Sequence, residues 1–226
     1  MDRREFLSVL GTTASIRSSG SEKGIAPAGD DIYLELVKVA ERGLEESLPK
    51  QQADGGVRDE HEIAQPGATA GFLSGLAALY LAPESRYHRR PELLERMERA
   101  AEHLLRDQHP DGTIDLPTTN FGSPPDTAFV LEPLCSTAEV LRARNHQQTR
   151  RLEAALKTFI QRAGSALTTG GIHTPNHRWV VVSALARCHH LFPDPRYLAR
   201  LDKSPLSYRP YSGLRPGTSP VLRPLS

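Results

Sequence analysis

Between residues 30 and 202 apolar positions recur at spacings of three and four, the period of a helix, and the strict alternation of a strand is scarce. Segment 31–48 lines up Tyr33, Leu36, Val37, Ala40, Leu44 and Leu48 on one stripe. Segment 91–108 opens on Pro91 and gathers Leu93, Leu94, Met97, Ala100, Ala101, Leu104 and Leu105. Segment 147–164 does the same with Leu152, Ala155, Leu156, Phe159, Ile160 and Ala163. Each stripe faces a charged side, which predicts amphipathic outer helices. Three other segments differ. Segment 69–81 carries no charge, 126–141 is mostly apolar with Pro133 predicting a kink, and 176–192 contains Trp179 to Ala186, apolar except for Ser183. A helix apolar nearly all round is expected to be buried on both sides. Pro193-Asp194-Pro195 then starts a last outer helix.

This alternation of outer and inner helices predicts an all-α fold of helical hairpins stacked side by side, forming a partial α/α toroid. The links entering the inner helices rhyme. They read Ala53-Asp54-Gly55-Gly56-Val57, Pro110-Asp111-Gly112-Thr113-Ile114 and Thr169-Gly170-Gly171-Ile172. Each is a glycine turn followed by an extended stretch, and all three fall on the same rim of the layer, where a repeat scaffold carries function. Three hairpins and one further helix are fewer than a closed ring takes. The expectation is an arc, a fragment, or a piece completed by a partner chain.

Composition narrows the class. A chain of 226 residues with 38% apolar and 24% charged side chains suits one globular domain, at most two. No run approaches the roughly 18 apolar residues that a membrane span needs. Cys135 and Cys188 cannot supply a disulfide scaffold or a four-cysteine zinc site. The net charge of +1 argues against nucleic-acid binding by bulk charge, yet it divides unevenly. Residues 1–29 carry +1, 30–202 carry −4, and 203–226 carry +4 with no acid. The start, Met1-Asp2-Arg3-Arg4-Glu5-Phe6-Leu7-Ser8-Val9-Leu10-Gly11, resembles a twin-arginine export signal: a cationic region leading into a short apolar one. Residues 1–29 are therefore expected to be a signal and linker, and the protein periplasmic or extracellular. Residues 203–226 hold five prolines and five serines without apolar periodicity, and are expected to be a disordered basic tail. Their abrupt start after Tyr197-Leu198-Ala199-Arg200-Leu201 raises the expectation of a truncated or shifted reading frame.

Candidate chemistry gathers in the links. The third reads His173-Thr174-Pro175-Asn176-His177-Arg178-Trp179 at a helix N-terminus, where free N–H groups favour an anion. Asn176 is also a helix cap by type. His177 and Arg178 place cations against the helix dipole, which points to an anionic ligand or an acidic neighbour. The second link offers Asn120 beside Phe121, an amide for hydroxyls or a carboxylate and a ring for stacking. Asp126, after Pro124-Pro125, reads as the N-cap of the next helix. In the first link, Asp59-Glu60-His61-Glu62 reads as a solvated charge run. His189-His190 complement a helix C-terminus. There is no phosphate loop, nucleophile elbow or HExxH pattern, so neither cofactor nor metal is expected.

The twin-arginine start, the alternating helices and the stretches Asp111-Gly112-Thr113-Ile114-Asp115-Leu116, Pro124-Pro125-Asp126-Thr127-Ala128-Phe129 and Gly171-Ile172-His173-Thr174-Pro175-Asn176-His177-Arg178-Trp179 resemble exported bacterial proteins of the heparinase II/III-like kind. These are α/α-toroid polysaccharide lyases and their relatives. The resemblance spans roughly residues 30–202. It implies β-elimination on a uronic-acid polymer. The uronate carboxylate must be neutralised as charge moves onto it, a base removes the C5 proton, and an acid protonates the leaving oxygen. It implies Asn120 and Asn176 as neutralisers, His177 or His173 as base, Arg178 as anion anchor, and Trp179 as a packing or stacking residue. The ligand implied is an acidic poly- or oligosaccharide. Two departures from the family pattern are expected: residues 30–202 account for neither a complete toroid nor the usual β-sandwich domain, and no tyrosine lies near the Asn-His-Arg-Trp run to act as acid. Two other readings stand beside it. One is a glycoside hydrolase using a pair such as Asp111 and Asp126, the other a non-catalytic helical module that binds glycan or protein.

Overall fold

The structure, a computed structural model, describes residues 29–59, 61–169 and 174–202, with side chains from Ile32 onward. The expected export signal apart from Gly29, the tail from Lys203 and the candidate base His173 lie outside the described residues. Among the described residues there are seven α-helices and no strand, only three isolated bridges. The helices are α1 (Gly29–Ser47), α2 (Pro66–Leu81), α3 (Pro91–Asp107), α4 (Pro124–Arg144), α5 (Arg150–Leu167), α6 (Pro175–Leu191) and α7 (Pro195–Asp202). The fold is all-α, and each helix lies within a few residues of the range its periodicity predicts. Five of the seven open on proline. Its fixed φ suits the first helical position, and the N–H it lacks is one the first turn leaves unbonded anyway.

The helices pack in two rows. α2, α4 and α6 lie side by side, α3 packs on α5 and α5 on α7, and each of the first three packs on the outer helix that follows it. Hairpins therefore run from inner to outer helix through short connections, and the long links carry the chain from an outer helix to the next inner one. The outer helices turn their stripes inward: Leu93, Met97, Ala100 and Leu104 of α3 and Leu152, Leu156, Phe159 and Ile160 of α5 are all buried. Removing such side chains from water is worth about 1.5–3 kcal/mol each.

The inner helices meet expectation only in part. α2 is buried almost all round, whereas α4 and α6 are not covered on both sides. Phe129 of α4 is 50% exposed and Trp179 of α6 is 61% exposed, and Gly67, Ser183 and Ala186 are open to solvent as well. One side of this row packs on the outer helices, while the other is an open face where small and aromatic residues lie beside Glu132. Helix α4 continues through Pro133 from Pro124 to Arg144. The Pro133 carbonyl accepts from the Thr137 hydroxyl at 2.9 Å and from Ser74 of α2 at 3.1 Å, so a buried hydroxyl pair ties α2 to α4 there.

The two described glycine links are copies of one another. Gln51 follows the 3-10 turn Leu48–Lys50 that succeeds α1, and Gln108 caps the end of α3. Each sends its amide to the carbonyl of its own link's glycine, Gly55 or Gly112, and to a carbonyl of the outer helix ahead, Arg96 or Phe159. Asp54 and Asp111 accept the backbone N–H two residues on, closing each turn. Val57 and Ile114 donate to Thr69 and Thr127 of the next inner helix, both at 3.0 Å. Gly55 and Gly112 have φ of +99° and +92°. A Cβ on them would lie 2.1 Å from the Arg99 carbonyl oxygen and 2.2 Å from that of Arg162. Only glycine permits both the conformation and the approach.

Gly112→Ala is expected to lower stability by about 3 kcal/mol, because strained backbone and a backbone clash act together. Gly75→Ala, in a helix with nothing within 4 Å of the new methyl, should raise it by about 0.5–1 kcal/mol. Urea midpoints of the two variants check the pair. Equal shifts would refute the account of the link.

Candidate functional site

The second link is held almost entirely by its own polar groups. Asp111 accepts from the Thr113 N–H at 2.9 Å and its hydroxyl at 2.7 Å, and these bonds hold its carboxyl below the usual range. Leu116 and Asn120 exchange backbone hydrogen bonds at 2.7 and 3.0 Å and close a small loop. Asp115 accepts from the Gly122 N–H at 2.6 Å and lies 2.7 Å from His109 Nε2. Its carboxyl is lowered too, chiefly by the Gly122 N–H against the opposing effect of burial, with His109 adding to it. Phe121 projects from the tip of this loop, 77% exposed.

Ser123 is the N-cap of α4, its hydroxyl accepting from the Asp126 N–H. This corrects the reading of Asp126 as the cap. Two prolines separate the true cap from the aspartate, so Asp126 takes the third helical position, where its carboxylate accepts from the Ser123 hydroxyl, while the Ser123 N–H donates to the Ile114 carbonyl. Asp126 also accepts from the Asn120 amide at 3.1 Å. The structure therefore joins two of the expected site residues, and in doing so occupies the amide that the lyase assignment gives to the substrate.

At the start of α6, Thr174 takes the cap position in place of Asn176, and Pro175 is the first helical residue. The Thr174 hydroxyl donates to Asn176 Oδ1 at 2.5 Å. Asn176 and Arg178 are exposed and His177 is half-buried. His177 Nδ1 is buried with no hydrogen-bond partner among the described residues. No hydrogen bond joins this group to the Asn120–Asp126 pair among the described residues.

Below both helix starts lies a groove of about 630 Å³, crossing the open face of all three inner helices. Gly67 and Gly71 line it from α2, Phe129, Glu132 and Pro133 from α4, and Trp179, Val180 and Ser183 from α6. Phe129 follows Asp126 by three positions and Trp179 follows Asn176 by three, so each ring sits one turn beneath a rim polar group on the same helix face. Glycine on α2 leaves that wall bare backbone. Further along, Glu132 accepts from Ser183 at 2.5 Å and pairs with Arg187 at 3.4 Å. Arg187 also donates to Ser136 at 2.7 Å, and Glu139 faces His190 at 3.5 Å.

Sequence reasoning did not find Phe129, Glu132 or the Arg187–Glu139–His190 ladder. Their spacings by three and four along α4 and α6 were the available signal, masked by the expectation that both helices are covered. The His109–Asp115 pair was missed because its partners come from opposite ends of a loop. Asp59, read as solvated charge, instead orders the first link, accepting from the His61 and Ile63 N–H groups at 2.8 and 3.1 Å. Among the described residues no group of three or more His, Cys, Asp and Glu is placed to hold a metal ion, and no helix is long and apolar enough to cross a membrane.

Because Asp115 is more acidic folded than unfolded, its contribution is complete above the ordinary carboxylate pKa of about 3.9 and is lost as pH falls through the folded value. Exchange protection of the Gly122 amide should therefore collapse on acidification below about pH 4. In Asp115→Asn that protection should be weak at neutral pH and show no such step.

The chain matches no protein-family model, no curated protein and no solved structure.

Proposed function

We propose that the chain is a carbohydrate-active protein whose helical hairpins form an arc of an α/α toroid, and that it acts by β-elimination on a uronic-acid polymer. One observation carries this reading: a groove bearing two exposed aromatic rings, Phe129 and Trp179, runs one turn beneath helix starts that present Asn176, His177 and Asp126, the last bonded to Asn120 of the link. Flat apolar faces beside a few oriented polar groups are what a sugar ring needs. The free N–H groups at the start of α6, together with Arg178, favour a carboxylate there.

In this reading Asn176 and the α6 N-terminus neutralise the uronate carboxylate as negative charge develops on it. His177 removes the C5 proton. Trp179 and Phe129 orient the ring, and Asn120 joins by exchanging its bond to Asp126 for one to substrate. The hydrolase alternative is weaker, because Asp111 spends its carboxylate on the Thr113 turn and stays ionised, a poor proton donor. The non-catalytic alternative draws on the Asn120–Asp126 bond: with that amide held internally, the rim recognises glycan without assisting a reaction. The arginine pair at the start leads to a proposal of export, with the acidic polysaccharide met outside the cytoplasm.

Incubating the purified chain with uronate polymers should produce the ultraviolet absorbance of an unsaturated uronate. His177→Ala should reduce its rate by about 10²–10⁴-fold and Asn176→Ala by about 10²-fold. Both should keep the helical circular dichroism of the parent. New reducing ends without that absorbance would replace elimination by hydrolysis. Polymer binding with neither product would leave a binding module.

A further inference from the structure

The row of polar contacts between α4 and α6 sets the register of the two helices. Glu132 meets Ser183, Ser136 meets Arg187 and Glu139 meets His190, each pair separated by 51 positions. Behind this row, on the side turned toward the outer helices, stand Cys135 of α4 and Cys188 of α6. Both have no solvent exposure, and neither is in a disulfide. Between Glu132 and Ser136 on one helix, and next to Arg187 on the other, they occupy the same level of one buried interface. Each sulfur is near enough to the other to disfavour loss of a proton from Cys135. The chain has no other cysteine.

We propose that Cys135 and Cys188 are a disulfide-forming pair that covalently fastens α4 to α6 when the chain folds under oxidising conditions. The register brings the two residues together without any third cysteine to compete, so correct pairing needs no selection among alternatives. The small neighbours Ser136 and Ala184, both on the same stretch of interface, leave the helices close. A bridge between these positions closes a loop containing all of α5, which restricts the unfolded chain and leaves the folded packing in place.

The oxidant is an external disulfide such as oxidised glutathione. A thiolate of the pair attacks one of its sulfurs, a mixed disulfide forms, and one glutathione thiolate leaves and takes up a proton. The second cysteine, as thiolate, then displaces the remaining glutathione. The protein pair loses two protons and two electrons, and oxidised glutathione becomes two molecules of glutathione. The neighbouring Cys188 sulfur and burial hold the Cys135 thiol well above its ordinary pKa in the folded protein. Exchange therefore proceeds while the α4–α6 interface is open, and the closed interface then protects the bond. The pairing depends only on how α4 meets α6, so it is independent of what the groove binds.

The test refolds the reduced, denatured full-length chain in a glutathione redox buffer and maps its peptides without reduction. The expected product is a monomer with the peptides of Cys135 and Cys188 linked and the mass lowered by two hydrogens. Its melting temperature should exceed that of the chain refolded in dithiothreitol by about 10 °C. Cys135→Ala and Cys188→Ala should each show no difference between the two conditions. The direct mapping of the parent protein does not depend on either variant folding. Two free thiols recovered after oxidative refolding would overturn the proposal. So would linkage only between chains, or a bridged monomer that melts below the reduced one.

Discussion

Two glycines resting on backbone carbonyls hold the rows of helices in place. Gly55 and Gly112 each press against the outer helix of the hairpin ahead, so close that any side chain would enter the carbonyl of Arg99 or Arg162. Around each contact a glutamine bonds the same two partners, and a threonine of the next inner helix receives the following N–H. The spacing of outer helices, the point where each link turns inward and the level at which each inner helix begins all follow from this one contact. Side-chain packing alone tolerates sliding of a turn or so, because ridges and grooves repeat along a helix. Backbone contact does not.

The same economy governs the rim. Asp111, Asp115, Asp126, Ser123 and Asn120 all bond to one another or to nearby N–H groups, so the second link is a stiff, self-satisfied structure that holds Phe121 outward. Buried or half-buried polar groups left unpaired would cost about 1–3 kcal/mol each, and here nearly all are paired. What this leaves open is the groove and the start of α6 above it, where His177 Nδ1 is buried without a hydrogen-bond partner among the described residues. The proposed function rests on that contrast between occupied and open groups. The carboxylates that looked catalytic by type serve the loop, and among the exposed rings only Phe129 was not singled out in the sequence.

Much of the fold was legible because its determinants are local. Period and charge mark each outer helix, and proline marks most helix starts. Aspartate-glycine marks the link turns, whose likeness is visible as soon as Gln51 to Val57 is set beside Gln108 to Ile114. The caps were misassigned for a local reason as well. Ser123 and Asp126, like Thr174 and Asn176, are competing cap types three or two residues apart, and only the path of the chain selects between them. The candidate site was legible in part. Asn120, Phe121, Asn176 and Trp179 were chosen by type, and the structure puts Asn120 against Asp126 and Trp179 across from Phe129. That second pairing joins residues 50 positions apart and has no trace in either segment alone.

The amino-acid sequence by itself determined that this chain forms helices, where they begin, which have a charged outer side, and which turns require glycine, since these depend on interactions within a few residues. It also determined the unequal charge of the core and the two ends. Only the tertiary structure decided which side of an uncharged helix meets solvent, because an apolar surface built of glycine, phenylalanine and tryptophan reads the same whether it is a core or an open groove. Tertiary structure alone also brought Cys135 beside Cys188 and Glu132 beside Arg187. Such pairs arise from the register of two helices, and register is set by contacts elsewhere in the molecule.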